Sequence, residues 1–291
     1  MKSFRPFDHF AHPIQKNVLH IIAMDGDKLI PVGTGFIVSK DGLMITAKHV
    51  IDYAVAGAPI HHEGSDSYKS SRGLYATWIK SETEGGLIPI DQVWYREQGL
   101  DIAFMALRPM FENDKQVMHP IVKLNLLPPP VGTIILAAGY YKMKASIESS
   151  TDESIEMEIH QETAFSTGKV VEIFPERRDG SFLNFPCFQT DCKFNPGMSG
   201  GPVFRTDTSE VCGVVCSAYQ SEDGEDDISF VSTIWPAMGI NIQASVDKGE
   251  KHNYSMLEIA QKGIIKTDES ISKLKLINVA PGIDQIMLSV E

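Results

Sequence analysis

Positive charge is in short supply: 26 lysines and arginines stand against 38 aspartates and glutamates in 291 residues, a formal charge of −12 with a pI near 5.2. Binding to phosphate backbones needs a basic face, and no Lys/Arg cluster provides one locally, so nucleic acid is excluded as a partner. Long apolar runs are missing too. The best stretch, Val18 to Met24, is short and holds His20, well below the ~20 residues of a membrane helix, so no membrane partner is expected. The opening MKSFRPFDHFAHPIQK lacks the basic flank and apolar run of a secretory signal. With Met1 as the start, this predicts a cytoplasmic protein.

Cysteine is sparse. Cys187, Cys192, Cys212 and Cys216 all fall in the C-terminal half, and their C-x4-C and C-x3-C spacings miss the C-x2-C pattern of zinc sites. A reducing compartment disfavours disulfides, so the four are expected as small buried side chains. His61-His62-Glu63 and the pair His9 and His12 have no third ligand at a sensible spacing, so no metal is expected. Asp152-Glu153 and the acid-rich Ser221–Asp227 read as solvated loops, as do Tyr68–Arg72 and Ser149–Ser154. No solenoid or propeller repeat is visible.

What is present is strand material. At 43% hydrophobic and 22% charged, the composition suits a globular core. Runs rich in Val, Ile, Leu and Thr span 18–24, 29–39, 42–47, 74–79, 87–95, 102–107, 133–140, 169–174, 210–218 and 228–234, with Asp25-Gly26 and Asp41-Gly42 as turns. Helical periodicity is weak at 49–56 and clearer at 255–262, where Ser255 and Glu258 make a capping-box pattern and Gly263 a stop. Two further strand-like runs follow at 273–279 and 286–290. The pattern predicts an all-β protein of barrels or a sandwich. Pro128-Pro129-Pro130 cannot continue a strand ladder and divides the chain into two β-units.

Three segments carry chemistry when taken together. Gly33-Thr34-Gly35-Phe36-Ile37-Val38 leads through Ile45-Thr46-Ala47-Lys48 to His49; Leu100-Asp101-Ile102 opens an apolar strand; and Gln189 to Val203 holds Asn195-Pro196-Gly197-Met198-Ser199-Gly200-Gly201. A serine hydroxyl becomes a nucleophile when a neutral imidazole accepts its proton, and a carboxylate holds that imidazole in the right tautomer. Glycines beside the serine permit a turn whose N–H groups converge on an oxyanion, with Gly197 and Ser199 as the natural donors. Gly197 to Gly201 also fits the G-x-S-x-G elbow of α/β-hydrolases. That elbow needs a helix after the serine and a histidine after the acid, whereas Pro202-Val203-Phe204 reads as strand and the only later histidine is His252.

These segments resemble the blocks of trypsin-like serine peptidases, most of all the HtrA (Deg) branch, over roughly residues 18–240, with Ile228-Ser229-Phe230 similar to the strand after its serine. The resemblance implies two perpendicular β-barrels with the active site between them. Residues 1–17 would be an N-terminal extension, 18–126 a first barrel with His49 and Asp101, 127–242 a second with Ser199, and 243–291 a C-terminal helix and tail in place of a PDZ module. It implies a serine endopeptidase acting on a protein or peptide substrate, with His49, Asp101 and Ser199 as triad and no cofactor. Phe194, Cys216, Ser217, Ala218 and Ile228 would line the specificity pocket, with Ile228 and Phe194 making it shallow and apolar. Lys193 falls where digestive members carry their pocket-floor acid. Met198 replaces the Asp with which those members hold a freshly cut N-terminus, so activation by such a cut is not expected. A freely active enzyme is expected first; an activating protein partner is a candidate, and the alternative reading is a partner-gated or non-catalytic regulatory protein that keeps the fold.

Overall fold

The computed structural model describes residues 2–8, 12–56, 60–62, 67–70, 72–81, 84–150, 155–219, 228–244, 252–280 and 283–289. Ser221–Asp227, Asp152-Glu153, His9 and Glu63, all weighed above, lie outside them.

Two antiparallel sheets each close on themselves. The first has eight strands, ordered Ile60–His62, Ser67–Ser70, Gly85–Tyr95, Gly73–Ile79, Val18–Asp25, Lys28–Ile37, Leu43–Thr46, Ala103–Leu107. Gly85–Tyr95 also pairs with Ala103–Leu107, so setting aside the first two strands leaves a closed barrel of six. The second has seven, ordered Ser3–Phe7, Ile155–Phe174, Ile134–Ser150, Pro202–Arg205, Val211–Tyr219, Ile228–Ser232, Cys187–Thr190. Pairing of Ile155–Phe174 with Cys187–Thr190 closes it, again as a barrel of six with Ser3–Phe7 added outside. Closure removes free sheet edges, the solution open to an all-β chain with many short strands. The fold is that of a double β-barrel, and the proline run lies in the connection between the two sheets.

Three local expectations differ from what forms. The runs at 133–140 and 169–174 are parts of strands of 17 and 20 residues. Among the described residues, the stretch beyond Tyr141 and Glu162 pairs only with itself. There Lys142, Lys144, Ser146 and Glu148 alternate with Met143, Ala145 and Ile147, a period-two pattern that the polar residues disguise as loop. Tyr68, Lys69 and Ser70, part of the loop expected over Tyr68–Arg72, belong to the strand Ser67–Ser70. Ser3–Phe7 pairs with 163–167, and Pro6 is tolerated there because the strand lies at an edge.

A single hydrophobic cluster runs from Ile21, Phe36, Ile45 and Phe104 of the first barrel into Tyr140, Val211 and Val214 of the second, and on to Met256, Leu257 and Ile259. The last three belong to the helix Met256–Gln261. Its N-cap Ser255 and Glu258 form the reciprocal capping box, and Gly263 ends it at φ 79°. Each large side chain so buried contributes about 1.5–3 kcal/mol, so the C-terminal helix is seated in the core shared with both barrels. A smaller cluster around Ile135, Phe188, Met198 and Val231 fills the second barrel.

Candidate active site

Strand register brings His49 to Asp101. Leu43–Thr46 pairs antiparallel with Ala103–Leu107, Thr46 opposite Ala103, so the residues just after Thr46 run beside those just before Ala103. The short helix Lys48–Ala54 begins there with Ala47 as N-cap, which has no side chain to satisfy the first-turn N–H groups. Asp101 does so instead: the His49 N–H donates to its Oδ1 at 3.0 Å. The same carboxylate takes His49 Nδ1, 3.0 Å from Oδ1 and 2.9 Å from Oδ2. Backbone and ring are held by one acid, which fixes the ring's orientation and places the proton on Nδ1. Asp101 is 7% exposed, whereas 44% of the His49 side chain is open.

Opposing influences act on His49. Burial pulls its pKa down, the charge and hydrogen bond of Asp101 push it up with help from Asp52, and Lys48 pulls it down; the net direction is upward from 6.5. Lys48 is itself held by Asp52 at 2.8 Å, with Glu97 at 3.6 Å and the Tyr95 ring below it at 5.1 Å.

Ser199 follows a tight turn. The Met198 N–H donates to the Asn195 carbonyl at 3.1 Å, with Pro196 and Gly197 between them and Gly197 at φ 98°. Proline first and a positive-φ glycine second is the type II pattern. Met198 is fully buried against the second-barrel core. Gly200, at φ 85°, is locked between barrels: a Cβ there would lie 2.1 Å from the Thr34 carbonyl oxygen. Among the described residues, the Gly197 and Ser199 N–H groups donate to no protein acceptor, leaving both available to an oxyanion.

Thr34 of the first barrel holds this loop. Its N–H donates to the Ser199 carbonyl at 2.9 Å, and its hydroxyl donates to the Gly197 carbonyl at 2.8 Å. That hydroxyl accepts from the Tyr140 N–H at 3.1 Å, while the Thr34 carbonyl accepts from the Thr46 hydroxyl at 2.7 Å. Sequence reasoning singled out the Gly33-Thr34-Gly35 segment without assigning Thr34 a role; the signal was a buried threonine between two glycines on a strand. The Ser199 hydroxyl donates to the Cys216 carbonyl at 3.2 Å, and no hydrogen bond joins it to His49 among the described residues.

A cavity of about 300 Å³ adjoins Ser199, lined by the expected Phe194, Cys216, Ser217 and Ala218 together with Asn195, Pro196 and Val215. Ile228, expected in the same wall, is not part of it. It opens its strand opposite Tyr219 and is 40% exposed, and the alternation of the strand turns the next residue, Ser229, fully inward. Lys193 is exposed. All four cysteines are free and buried, and burial pushes the Cys187 and Cys192 thiols up to about 11. Cys216 differs from the others in facing the Asp101 carboxylate.

The family model of the trypsin-like peptidase domain matches residues 33–214, a span that contains His49, Asp101 and Ser199. A curated relative named "Probable periplasmic serine endoprotease DegP-like", from Marinomonas sp. (strain MWYL1), is 28% identical over 224 residues, which are 74% of this chain and 36% of the relative. The chain thus spans well under half of that relative's length. Among solved structures, the MamO protease domain of Magnetospirillum magneticum has 17% identity and a TM-score of 0.45, covering 76% of this chain and 93% of that one. The active form of the Rv3671c protease of M. tuberculosis has 18% identity and a TM-score of 0.46, covering 78% and 82%. Since the family model takes in more than half of the sequence, the chain belongs to the trypsin-like peptidase family.

Proposed function

We propose that this member of a family acting on proteins or peptides is a serine endopeptidase working through an acyl-enzyme. Ser199 Oγ attacks the scissile carbonyl. His49 accepts its proton on Nε2 and returns it to the leaving amine, Asp101 holds the Nδ1–H tautomer, and the Gly197 and Ser199 N–H groups take the oxyanion. Water then repeats the sequence on the ester. The observation that carries this reading is the Asp101 carboxylate bound to both the backbone and Nδ1 of His49, with the Ser199 loop tied to the same barrel through Thr34. The cavity lined by Phe194, Val215 and Ala218 supports a small or medium aliphatic side chain before the cleaved bond. A fluorophosphonate probe tests the reading: labelling of the full chain that disappears in Ser199→Ala is expected, and labelling that survives that change overturns it.

A second reading rests on the Ser199 hydroxyl, which donates to Cys216 rather than to His49. We infer that a gated form is its natural extension, in which a protein partner or the substrate turns the hydroxyl toward the imidazole. Labelling that appears only on adding partner or substrate would favour it. A cytoplasmic setting is likewise our proposal, supported by four free buried thiols, against the periplasmic setting in the Marinomonas relative's name. Recovery of the chain in a periplasmic fraction would overturn it.

A further inference from the structure

The Cys216 thiol stands beside the His49–Asp101 pair, and no step of the peptidase reaction uses it. One ligand atom from each of His49, Asp101 and Cys216 lies within 4.8 Å of the other two, and the imidazole turns Nδ1 to that carboxylate. Imidazole, thiolate and carboxylate together form a donor set that suits tetrahedral Zn²⁺ and other soft divalent ions. Bonds of about 2.0–2.3 Å place tetrahedral ligand atoms roughly 3.3–3.7 Å apart, so the three atoms lie within about 1 Å of the required spacing and the ring must part slightly from Asp101, which it now meets at 2.9 Å. The move lengthens the Asp101–Nδ1 contact, while Ser199 does not hold the Nε2 side and 44% of the side chain is exposed.

Burial and the Asp101 carboxylate keep the Cys216 thiol protonated, so the ion itself must displace that proton, as metals do from the thiols they bind. Ser217 and Ser232 lie against the thiol, and their hydroxyl oxygens are buried with no other hydrogen-bond partner among the described residues. Ser232 is 1% exposed. A thiolate gives both hydroxyls an acceptor, the outer hydrogen bonds that metal ligands commonly receive.

We propose that His49, Asp101 and Cys216 form an inhibitory site for Zn²⁺ or a similar soft divalent cation, with water as fourth ligand. The consequence for turnover rests on the peptidase reading above. On binding, the thiol proton leaves to buffer as the metal–sulfur bond forms, and the Nδ1 proton is replaced by the metal while Nε2 takes one up. One proton is released in all, and no electron changes hands. With Nε2 protonated, the imidazole cannot accept the proton of Ser199.

The test uses the full chain carrying Ser199→Ala, with Cd²⁺ as probe and the ultraviolet thiolate-to-metal charge-transfer band as readout. A saturable band of one Cd²⁺ per chain is expected, displaced by Zn²⁺, lost in Cys216→Ser and weakened at least tenfold in affinity by His49→Ala. No band, or one that persists in Cys216→Ser and therefore comes from Cys187, Cys192 or Cys212, overturns the site. Should Cys216→Ser not fold, Cys216→Ala replaces it under the same readout: loss of the band supports the site, and a band that persists overturns it. Because binding is read in a chain without the nucleophile, failure of the peptidase reading leaves this result standing. Wild-type turnover indifferent to Zn²⁺ would sink the inhibition alone.

Discussion

The two barrels hold their parts of the candidate site in different ways. In the first, His49 and Asp101 meet through adjoining strands, and the carboxylate that caps the His49 backbone also orients its ring. In the second, Ser199 lies on a turn of proline and glycines whose carbonyls are gripped from the other barrel by Thr34. The His49–Asp101 pair is therefore a product of one sheet's register, and the position of Ser199 is a product of contact between sheets. Damage within the first barrel should change chemistry, and damage at the joint should change alignment.

Removing the proposed nucleophile has the largest expected effect. Ser199→Ala should lower turnover by about 10⁶-fold while leaving the His49–Asp101 pair intact, as single-turnover rates would show. Next comes the orienting acid: Asp101→Asn should cost about 10⁴-fold in kcat. The carboxylate is what raises His49 above 6.5, so the wild-type acid limb of kcat/KM is expected above that pH, where His49 loses its proton and becomes a base. In Asp101→Asn burial prevails and the limb should move down. A limb that stays in place would separate Asp101 from the titration.

Thr34→Val tests the joint. It removes the bond to Gly197 and strands the Tyr140 N–H, each an effect of about 1–3 kcal/mol on stability, and the misaligned loop should lower kcat about 10–100-fold. The acid limb should not move, because His49 and Asp101 are untouched; a shifted limb would blur the distinction between the barrels. The smallest effect concerns a second link between them. His20 of the first barrel lies fully buried with Nδ1 2.8 Å from Gln161 Oε1 of the second, and burial lowers its pKa to about 4 despite that bond. Its folded pKa lies below the unfolded one, so its contribution is whole above about 6.5 and declines as pH falls toward about 4, by up to roughly 3 kcal/mol. Denaturant titrations across that range should show a stability slope that His20→Leu flattens.

Much of this was legible in the residues. The alternating and β-branched runs placed most strands, because a half-buried strand writes its period into its sequence. The glycines on either side of Ser199 announced a tight turn, since glycine takes left-handed backbone at no steric cost. Ser255 with Glu258 announced a cap. The long ribbon to Ser150 was hidden by its polar alternation, and Ser3–Phe7 by its lack of any partner near in sequence. Ile228 lies outside the cavity because it opens its strand on the exposed face while Ser229 turns inward, a strand phase that a motif match does not reveal.

The sequence by itself determined which groups could do chemistry, where turns and caps fall, and that the chain folds as strands, because each of these depends on residues within a few positions of one another. The tertiary structure decided the rest: that two sheets close, that Thr34 governs a loop some 160 positions away, and that the Cys216 thiol faces Asp101 rather than only a pocket wall. Such pairings depend on register and on packing between sheets, where one residue of slip reverses a side chain's face, and nothing local in the chain encodes them.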